Sequence, residues 1–251
     1  MLVSVLSDIH LEHYSDPNKA IAFLESVRPT EIADVLVLAG DIWSLNQRAT
    51  FRYLDEFRKW AVDIVYVPGN HECYGTNPTL QGRDTLKGLY AEGLRVLGPG
   101  YYESFTYEGH RFVGSTCWYP DTPIVRKNLK DWSDVSFTRG FIKWWERFQL
   151  EERKYLWDTV QEGDIVVSHM LPTWECISPQ FEASSANCLY VADLKDLILE
   201  KKPSLWIHGH SHDKFELTLG DTRILRSPIG YPSDLQKETK ILELRLDSSN
   251  K

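Results

Sequence analysis

Five short apolar runs in this chain each end in side chains that commonly bind metal ions. Each run has the length and the β-branched content of a buried strand, and the polar residues follow it directly. The residues after the five runs are Asp8-Ile9-His10, Gly40-Asp41, Gly69-Asn70-His71, His169 and His208-Gly209-His210-Ser211-His212. In an open α/β sheet, the loops at the carboxyl ends of the strands converge on one edge. We therefore expect these side chains to form one shared site.

The order of apolar patterns in the first third of the chain predicts alternating strands and helices. Strand-like runs over 2–6, 35–38 and 64–67 alternate with helical patterns over 18–27 and 48–60. Strands that are apolar on both faces and separated by helices are typical of a parallel sheet covered by helices.

The later part of the chain predicts a second sheet. Glu108-Gly109 has the chemistry of a hairpin turn between runs over 101–106 and 110–116. Helices are predicted over 141–160 and 191–200. The other predicted strands cover 165–168, 205–208, 214–219, 222–226 and 240–246.

The length and composition favour one domain. The chain has 251 residues, 42% of them hydrophobic, which is enough to bury a sizeable core. It contains no repeat and no Gly-, Ser- or Pro-rich linker. We expect a single domain over residues 1–251, with a loop or partly helical insertion around 117–140, where Pro120 and Pro123 interrupt the pattern.

Charge and targeting patterns narrow the possible partners. Lysine and arginine number 28 against 36 acidic residues, so the formal charge of −8 disfavours, without excluding, nucleic acid as a partner. The N-terminus has no basic start or cleavage pattern, and no apolar run approaches the ~20 residues of a membrane helix. Four irregularly spaced cysteines are expected to be free thiols. These features predict a soluble cytoplasmic protein without a membrane partner, and they leave the oligomeric state open.

The polar residues that follow the five apolar runs supply more metal ligands than one ion can use. Two divalent ions about 3.5–4 Å apart would use all of them if one carboxylate bridged the ions and water or hydroxide completed the set. Two aspartates would leave the pair with a net charge of about +2, which suits an anionic phosphate ester, and a bridging hydroxide is a ready nucleophile. The pattern thus indicates phosphoester hydrolysis. The seven candidate ligands are Asp8, His10, Asp41, Asn70, His169, His210 and His212.

The glycines that precede ligands have an expected mechanical role. Gly40, Gly69 and Gly209 each stand where the chain must turn sharply out of its strand. Because glycine adopts such turns at low cost, we expect all three to be selected for backbone conformation.

Taken in order, the motifs SDIH, LAGD, PGNHE, VVSH and HGHSH resemble the signature of the calcineurin-like metallophosphoesterase superfamily. The resemblance spans residues 8 to 212 and implies a four-layer αββα sandwich of two mixed β-sheets flanked by helices. It implies one ion on Asp8, His10, Asp41 and His212, and another on Asn70, His169, His210 and the shared Asp41.

The resemblance also implies a role for the histidine that follows Asn70. His71 matches the family position that contacts the scissile phosphate and protonates the leaving oxygen. A histidine suits that role because its unperturbed pKa lies near neutrality, although nearby cations would tend to depress it.

Two departures from the family pattern concern specificity rather than metal binding. Many relatives carry a second histidine after the VVSH histidine, where this chain has Met170. They often also have Asn-Pro-Arg-Gly-Tyr near the C-terminus, where this chain has Ser227-Pro228-Ile229-Gly230-Tyr231. Neither change removes a ligand, so the substrate of a relative does not transfer directly.

The sequence therefore predicts a binuclear metal-dependent phosphoesterase that attacks a small phosphorylated molecule or nucleotide with a metal-bound hydroxide. A phosphodiester is slightly favoured over a phosphomonoester. The ions would be manganese, iron, zinc, nickel or cobalt, with manganese favoured. A metal-dependent nuclease and a catalytically silent interaction scaffold of the same fold are the alternatives. Glu72 is left outside the site, and His13 and His110, which lack motif support, are expected to be surface or structural residues.

Overall fold

The first of two β-sheets contains the strands of the N-terminal third. The fold is seen in a computed structural model that describes residues 1–46, 49–78, 81–234 and 241–247. The sheet has the order β11-β1-β2-β3-β4, in which β11 is antiparallel and the other strands are parallel. Its strands are β1 (Leu2–Leu6), β2 (Ala33–Ala39), β3 (Ala61–Val67), β4 (Arg95–Val96) and β11 (Leu242–Arg245).

The second sheet has six strands in the order β5-β6-β7-β8-β10-β9. Its four central strands are parallel, and an antiparallel strand lies at each edge. The strands are β5 (Phe105–Tyr107), β6 (His110–Gly114), β7 (Ile165–Val167), β8 (Leu205–His208), β9 (Phe215–Leu219) and β10 (Thr222–Arg226). Two mixed sheets flanked by helices confirm the predicted fold class.

Seven α-helices lie in the described residues. They are α1 (Pro17–Val27), α2 (Thr50–Phe57), α3 (Gln81–Ala91), α4 (Pro123–Asn128), α5 (Ser133–Phe137), α6 (Phe141–Thr159) and α7 (Lys195–Lys201). α4 and α5 both lie within the 117–140 segment, joined by a 3₁₀ turn at Leu129–Asp131.

Alternating side chains of the strands divide the core into layers. In β1, Val3 and Val5 belong to the cluster between the two sheets, whereas Leu2 and Leu6 belong to the cluster beneath the helices. Because successive side chains of a strand point to opposite faces, a strand buried on both sides must be apolar at nearly every position. A third cluster packs α6 and α7 against the outer face of the second sheet.

Two predicted helices differ in extent from the structure, and one observed helix lacks a prediction. The helix predicted over 48–60 is observed as Thr50–Phe57, and position 48 lies outside the described residues. The helix predicted over 191–200 begins only at Lys195, because Asp193 has a φ of 57°, which is incompatible with a right-handed helix. Helix α3 was not predicted from the sequence.

Two simpler predictions concern cysteines and membrane spans. All four cysteines are free thiols, as predicted. Within the described part of the chain, no helix combines the length and the apolar character that crossing a bilayer requires.

Candidate metal centre

The seven candidate ligands lie on loops that leave the carboxyl ends of five strands. Asp8 and His10 follow β1, Asp41 follows β2 and Asn70 follows β3 in the first sheet, whereas His169 follows β7 and His210 and His212 follow β8 in the second. The first two loops are joined by backbone hydrogen bonds: the N–H of Asp8 donates to Gly40 at 3.0 Å, and that of His10 to Asp41 at 3.0 Å. Because the five strands belong to both sheets, candidate ligand side chains from the carboxyl ends of both sheets lie near one another.

One group of donor atoms comes from Asp8, His10 and His212, which can present ligand atoms within 4.8 Å of one another. The Nε2 atoms of His10 and His212 are 3.1 Å apart, and Asp8 Oδ1 lies 3.9 Å from His212 Nε2. The Asp8 carboxylate also accepts the backbone N–H of His210 at 2.9 Å, which holds the β8 loop against the β1 loop.

A second group comes from Asn70, His169 and His210. Asn70 Oδ1, His169 Nε2 and His210 Nδ1 form a triangle with edges of 3.0, 3.1 and 3.2 Å. Neighbouring ligands around an ion at about 2.1 Å are about 3 Å apart when they subtend a right angle at it. The triangle therefore has the size of one face of a coordination sphere.

Asp41 lies between the two groups. Its Oδ2 atom is 3.4 Å from His169 Nε2 and 3.9 Å from His10 Nε2, while Oδ1 accepts the backbone N–H of His71 at 2.9 Å. One oxygen of this carboxylate is therefore near both groups, as a bridging ligand must be.

The surroundings of His169 favour a positive charge at this place. Its Nδ1 donates to the carbonyl of Ala39 at 3.0 Å, so the neutral ring would turn a lone pair on Nε2 toward Asn70 Oδ1. Two acceptors at that distance repel each other unless a proton or a metal ion lies between them. Burial lowers the pKa of His169, but the charge of Asp41 outweighs this effect and raises it to about 10. The donor set thus fits a cation, which would replace that proton.

His71 lies beside the two groups and is held by Glu12. The Glu12 carboxylate is 2.9 Å from Nδ1 of His71 and 3.2 Å from Nδ1 of His10, so both rings turn their Nε2 atoms inward. Burial lowers the pKa of His71, but the charges of Asp41 and Glu12 raise it to about 9. Glu12 therefore belongs to this arrangement, although no motif in the sequence indicates it.

Glu72, which the sequence pattern places outside the site, organises the loops that carry the candidate ligands. This fully buried carboxylate accepts backbone N–H groups of Asp41, Ile42, Trp43 and Gly69 at distances of 3.0, 2.9, 3.4 and 2.7 Å. It thereby ties the loop after β2 to the loop after β3. Burial and the charge of Asp41 raise the pKa of Glu72 to about 7.

Two further rings, those of Tyr231 and His13, lie close to the rings of His10 and His71. The ring of Tyr231 stacks on His10 with centroids 4.2 Å apart, and its hydroxyl lies 3.4 Å from His71 Nε2. The ring of His13, expected to have a surface or structural role, lies 5.9 Å from that of His71 and 5.1 Å from that of Tyr231. His13 is exposed, in agreement with the expected surface role, and it lies at the rim of the site.

The glycines serve two different purposes, which corrects the expectation that all three provide a special turn. Gly40 has a φ of +82°, in the left-handed region that favours glycine. Gly69 and Gly209 are outside that region, but a Cβ atom on Gly69 would lie 2.2 Å from Asp41 Oδ1 and one on Gly209 2.7 Å from Asp8 Oδ2. At these two positions glycine provides space for a ligand carboxylate.

Four of the seven candidate ligands have unusual backbone conformations. Asp8, His10, Asp41 and His210 have φ values of 52°, 51°, 54° and 70°. Non-glycine residues in this region cost about 1–3 kcal/mol each and are concentrated at functional sites.

A cleft of about 330 Å³ opens from the ligands toward the segment 171–190. Its walls carry aromatic and small polar side chains, and no lysine or arginine is among the described residues that line it. Buried Arg226 anchors one wall by donating to the carbonyl of Cys176 at 2.7 Å and to the hydroxyl of Ser178 at 2.6 Å. The walls are formed by Tyr74, Trp132, Ser133, Leu171, Ile177, Ser178, Phe181, Ser184, Ala186, Asn187, Tyr190 and Tyr231.

The sequence is similar to a known family and to proteins within it. Residues 1–214 match the family described as calcineurin-like phosphoesterase. Protein L509 of Acanthamoeba polyphaga mimivirus is 22% identical over 258 residues, covering 92% of this chain and 91% of L509. The acyl-carrier-protein phosphodiesterase PptH of Mycobacterium tuberculosis is 36% identical over 72 residues, covering 29% of this chain and 21% of PptH.

Solved structures share the fold. The crystal structure of the phosphopantetheinyl hydrolase PptH from Mycobacterium tuberculosis superposes with a TM-score of 0.70 at 17% identity, covering 99% of this chain and 97% of that one. A dimetal phosphatase from Danio rerio superposes with a TM-score of 0.50 at 17% identity, covering 90% of this chain and 86% of that one.

Proposed function

This chain belongs to the calcineurin-like phosphoesterase family, and from that membership we propose that it hydrolyses a phosphodiester at a centre of two divalent metal ions. The observation that carries the proposal is the division of seven donor residues into two groups with Asp41 Oδ2 near both. A single ion bound by either group together with Asp41 would leave three of the seven donors unused.

We assign the ligands as the two groups suggest. Asp8, His10 and His212 would hold one ion, Asn70, His169 and His210 the other, and Asp41 would serve both. When bound, the two ions supply positive charge for the phosphoryl oxygens and lower the pKa of a water molecule. Imidazole and carboxylate ligands suit manganese, iron, zinc, nickel and cobalt, of which we favour manganese.

The proposed role of His71 is to protonate the leaving oxygen. Glu12 accepts from Nδ1, so the proton available for transfer is on Nε2, which faces the cleft beside the Tyr231 hydroxyl. The pKa of about 9 keeps the ring protonated near neutral pH, and bound cations would lower that value toward the range suited to proton transfer. Glu12 also restricts the ring orientation, because it contacts His10 and His71 together.

The cleft supports a substrate whose second arm is neutral. Ser133 and Asn187 offer hydrogen-bonding groups, and Trp132, Phe181 and Tyr190 offer aromatic surface. Among the lining residues that the structure describes, none is a lysine or arginine that could bind a second anionic group. The relative PptH of Mycobacterium tuberculosis is named both an acyl-carrier-protein phosphodiesterase and a phosphopantetheinyl hydrolase. We therefore propose a diester that bears an uncharged, amide-containing arm of the phosphopantetheine type.

The test is an activity screen on metal-free protein reconstituted with Mn²⁺, Ni²⁺ or Fe²⁺. The substrates are bis-p-nitrophenyl phosphate, p-nitrophenyl phosphate and a phosphopantetheine diester. We expect faster turnover of the diesters, and loss of turnover in His169→Ala but not in His110→Ala, a histidine variant in β6. Lack of turnover of any ester with any metal would contradict the proposal and favour the scaffold alternative.

The nuclease alternative is tested separately. Binding of a polynucleotide backbone relies on lysine and arginine contacts and therefore weakens steeply with salt. Because the described lining of the cleft lacks such residues, we expect labelled single- and double-stranded DNA to remain intact under conditions that turn over small diesters. Salt-dependent cleavage of DNA would instead favour the nuclease.

A further inference from the structure

Asp134, in helix α5 of the 117–140 segment, is a fully buried carboxylate. Oδ1 accepts from the side-chain amide of Asn70 at 3.0 Å and from the hydroxyl of Tyr74 at 2.8 Å. Oδ2 accepts from the hydroxyl of Tyr119 at 2.9 Å and from the indole N–H of Trp132 at 3.0 Å. All four donors are neutral, so this carboxylate is retained in the interior by hydrogen bonds to uncharged groups.

The contact with Asn70 determines which end of its amide faces the proposed metal centre. Asn70 Nδ2 donates to Asp134 Oδ1 and to the hydroxyl of Tyr74, the latter at 2.9 Å. The amide oxygen is consequently directed toward His169 and His210, at 3.0 and 3.1 Å. If the side-chain amide of Asn70 were flipped by 180°, its NH₂ group would face His169 and His210 instead. An NH₂ group has no lone pair available for a cation.

A carboxylate is required for this arrangement because two of its donors cannot act as acceptors. Asn70 Nδ2 and Trp132 Nε1 donate to different oxygens of Asp134. An asparagine at position 134 has a single acceptor oxygen, so one of the two donors would lose its partner or the Asn70 amide would turn. Burying a carboxylate away from any positive charge is unfavourable, so a residue that serves packing alone would not be expected to be an aspartate.

We propose that Asp134 is a positioning residue that holds the Asn70 amide with its oxygen toward the metal centre. The 117–140 segment would then contribute to metal affinity without supplying a ligand. The inference rests on the proposed function, because it assigns Asn70 as a ligand of one of the two ions.

The experiment measures metal affinity rather than turnover. Metal-free protein is titrated with Mn²⁺ and with Zn²⁺ against a competing chelating indicator, and its thermal unfolding is recorded in parallel. In Asp134→Asn, we expect one of the two ions to bind about 10–100-fold more weakly and the other to keep its affinity. Tyr119→Phe is the matched control, since it removes a hydrogen bond from the same carboxylate without contacting Asn70, and it should bind both ions as the wild type does.

Tyr74→Phe keeps the inference testable if Asp134→Asn does not fold. Tyr74 contacts both Asn70 and Asp134, so its loss should weaken the same ion by a smaller factor. Wild-type affinity for both ions in a folded Asp134→Asn, or in Tyr74→Phe if the former does not fold, would overturn the inference. Equal weakening in Tyr119→Phe would also overturn it, because the effect would then arise from general packing. Binding of fewer than two ions by the wild type would instead refute the proposed binuclear function.

Discussion

At the scale of single residues, Asp41 is the side chain on which both proposed ions depend. Replacing it with asparagine keeps the shape but removes the charge and one strong acceptor oxygen. We expect Asp41→Asn to weaken both ions and to lower turnover at least ~100-fold, whereas Asp8→Asn should weaken only one ion. Metal content after dialysis, measured by mass spectrometry, distinguishes the two variants. Turnover near that of the wild type at saturating metal would contradict the bridging role of Asp41.

His71 is predicted to matter most for substrates with poor leaving groups. A poor leaving group such as an alkoxide needs a proton in the transition state, whereas p-nitrophenolate does not. We expect His71→Ala to slow an alkyl diester by ~10²–10⁴-fold and a p-nitrophenyl diester by much less. Rates for a series of esters with graded leaving-group pKa values provide the measurement. Equal losses across the series would indicate that His71 only positions the phosphate.

The residues that could be predicted from the sequence are those that directly follow strands. All seven candidate ligands and His71 have this property, and the structure places them together. Glu12, Tyr231 and Asp134 could not be predicted, because their roles depend on contacts with side chains 59, 160 and 64 positions away. The local sequence around each of these three residues does not indicate which distant side chain it contacts in the fold.

At the scale of secondary-structure elements, strongly patterned segments were predicted well. The strand over 2–6, the strand over 222–226 and the long helix that begins at Phe141 are observed close to their predicted bounds. Helix α3 was missed because Gly82 and Gly88 and its many polar residues weaken the helical pattern, and glycine has poor helix propensity. The helix is stabilised by packing of Leu86 and Leu89 against the apolar cluster between the first sheet and its helices. This is a tertiary contact, which the local sequence pattern does not show.

Helix α6 contains a buried carboxylate that is predicted to make stability depend on pH. Glu152 accepts the hydroxyl of Ser115 and the backbone N–H groups of Cys117 and Trp118, the latter two at 3.1 and 3.0 Å. Burial raises its pKa from 4.5 to about 7, despite these hydrogen bonds. The folded state therefore binds this proton more tightly than the unfolded state does.

The sign of the effect follows from that difference in proton binding. The contribution of Glu152 to the free energy of unfolding is fully present below pH 4.5 and falls as pH rises toward about 7, by about 3 kcal/mol in total. The free energy of unfolding is measured by urea denaturation of the metal-free wild type and of Glu152→Gln, each at pH 5 and at pH 7.5. The difference between the two proteins isolates the contribution of Glu152, because the other titrating groups are the same in both. Glu151→Gln, an exposed change on the same helix, should follow the wild type. Parallel profiles for wild type and Glu152→Gln would contradict the prediction.

At the scale of the whole molecule, the candidate metal centre joins the two sheets. Asp8, His10, Asp41 and Asn70 come from the first sheet, and His169, His210 and His212 come from the second. Without bound ions, the loops are connected mainly by hydrogen bonds such as those of Asp8 to His210 and of Asn70 to His169. Two ions would add bonds between the sheets at their shared edge, next to the strand ends where Ala39, Val67 and Val167 belong to the apolar cluster between the sheets.

This arrangement predicts that metal removal lowers the stability of the entire fold. An ion that binds only the folded state, at a free concentration 1,000-fold above its Kd, stabilises it by about 4 kcal/mol. In a chain of this size each kcal/mol corresponds to about 2–4 °C in Tm, so removal of both ions should lower Tm by well over ~10 °C. Calorimetry of the protein with saturating Mn²⁺ and after chelation gives the difference. In Asp41→Asn the same comparison should give a much smaller shift, because both sites lose their shared ligand. An equal shift in wild type and variant would mean that the stabilising ions bind elsewhere.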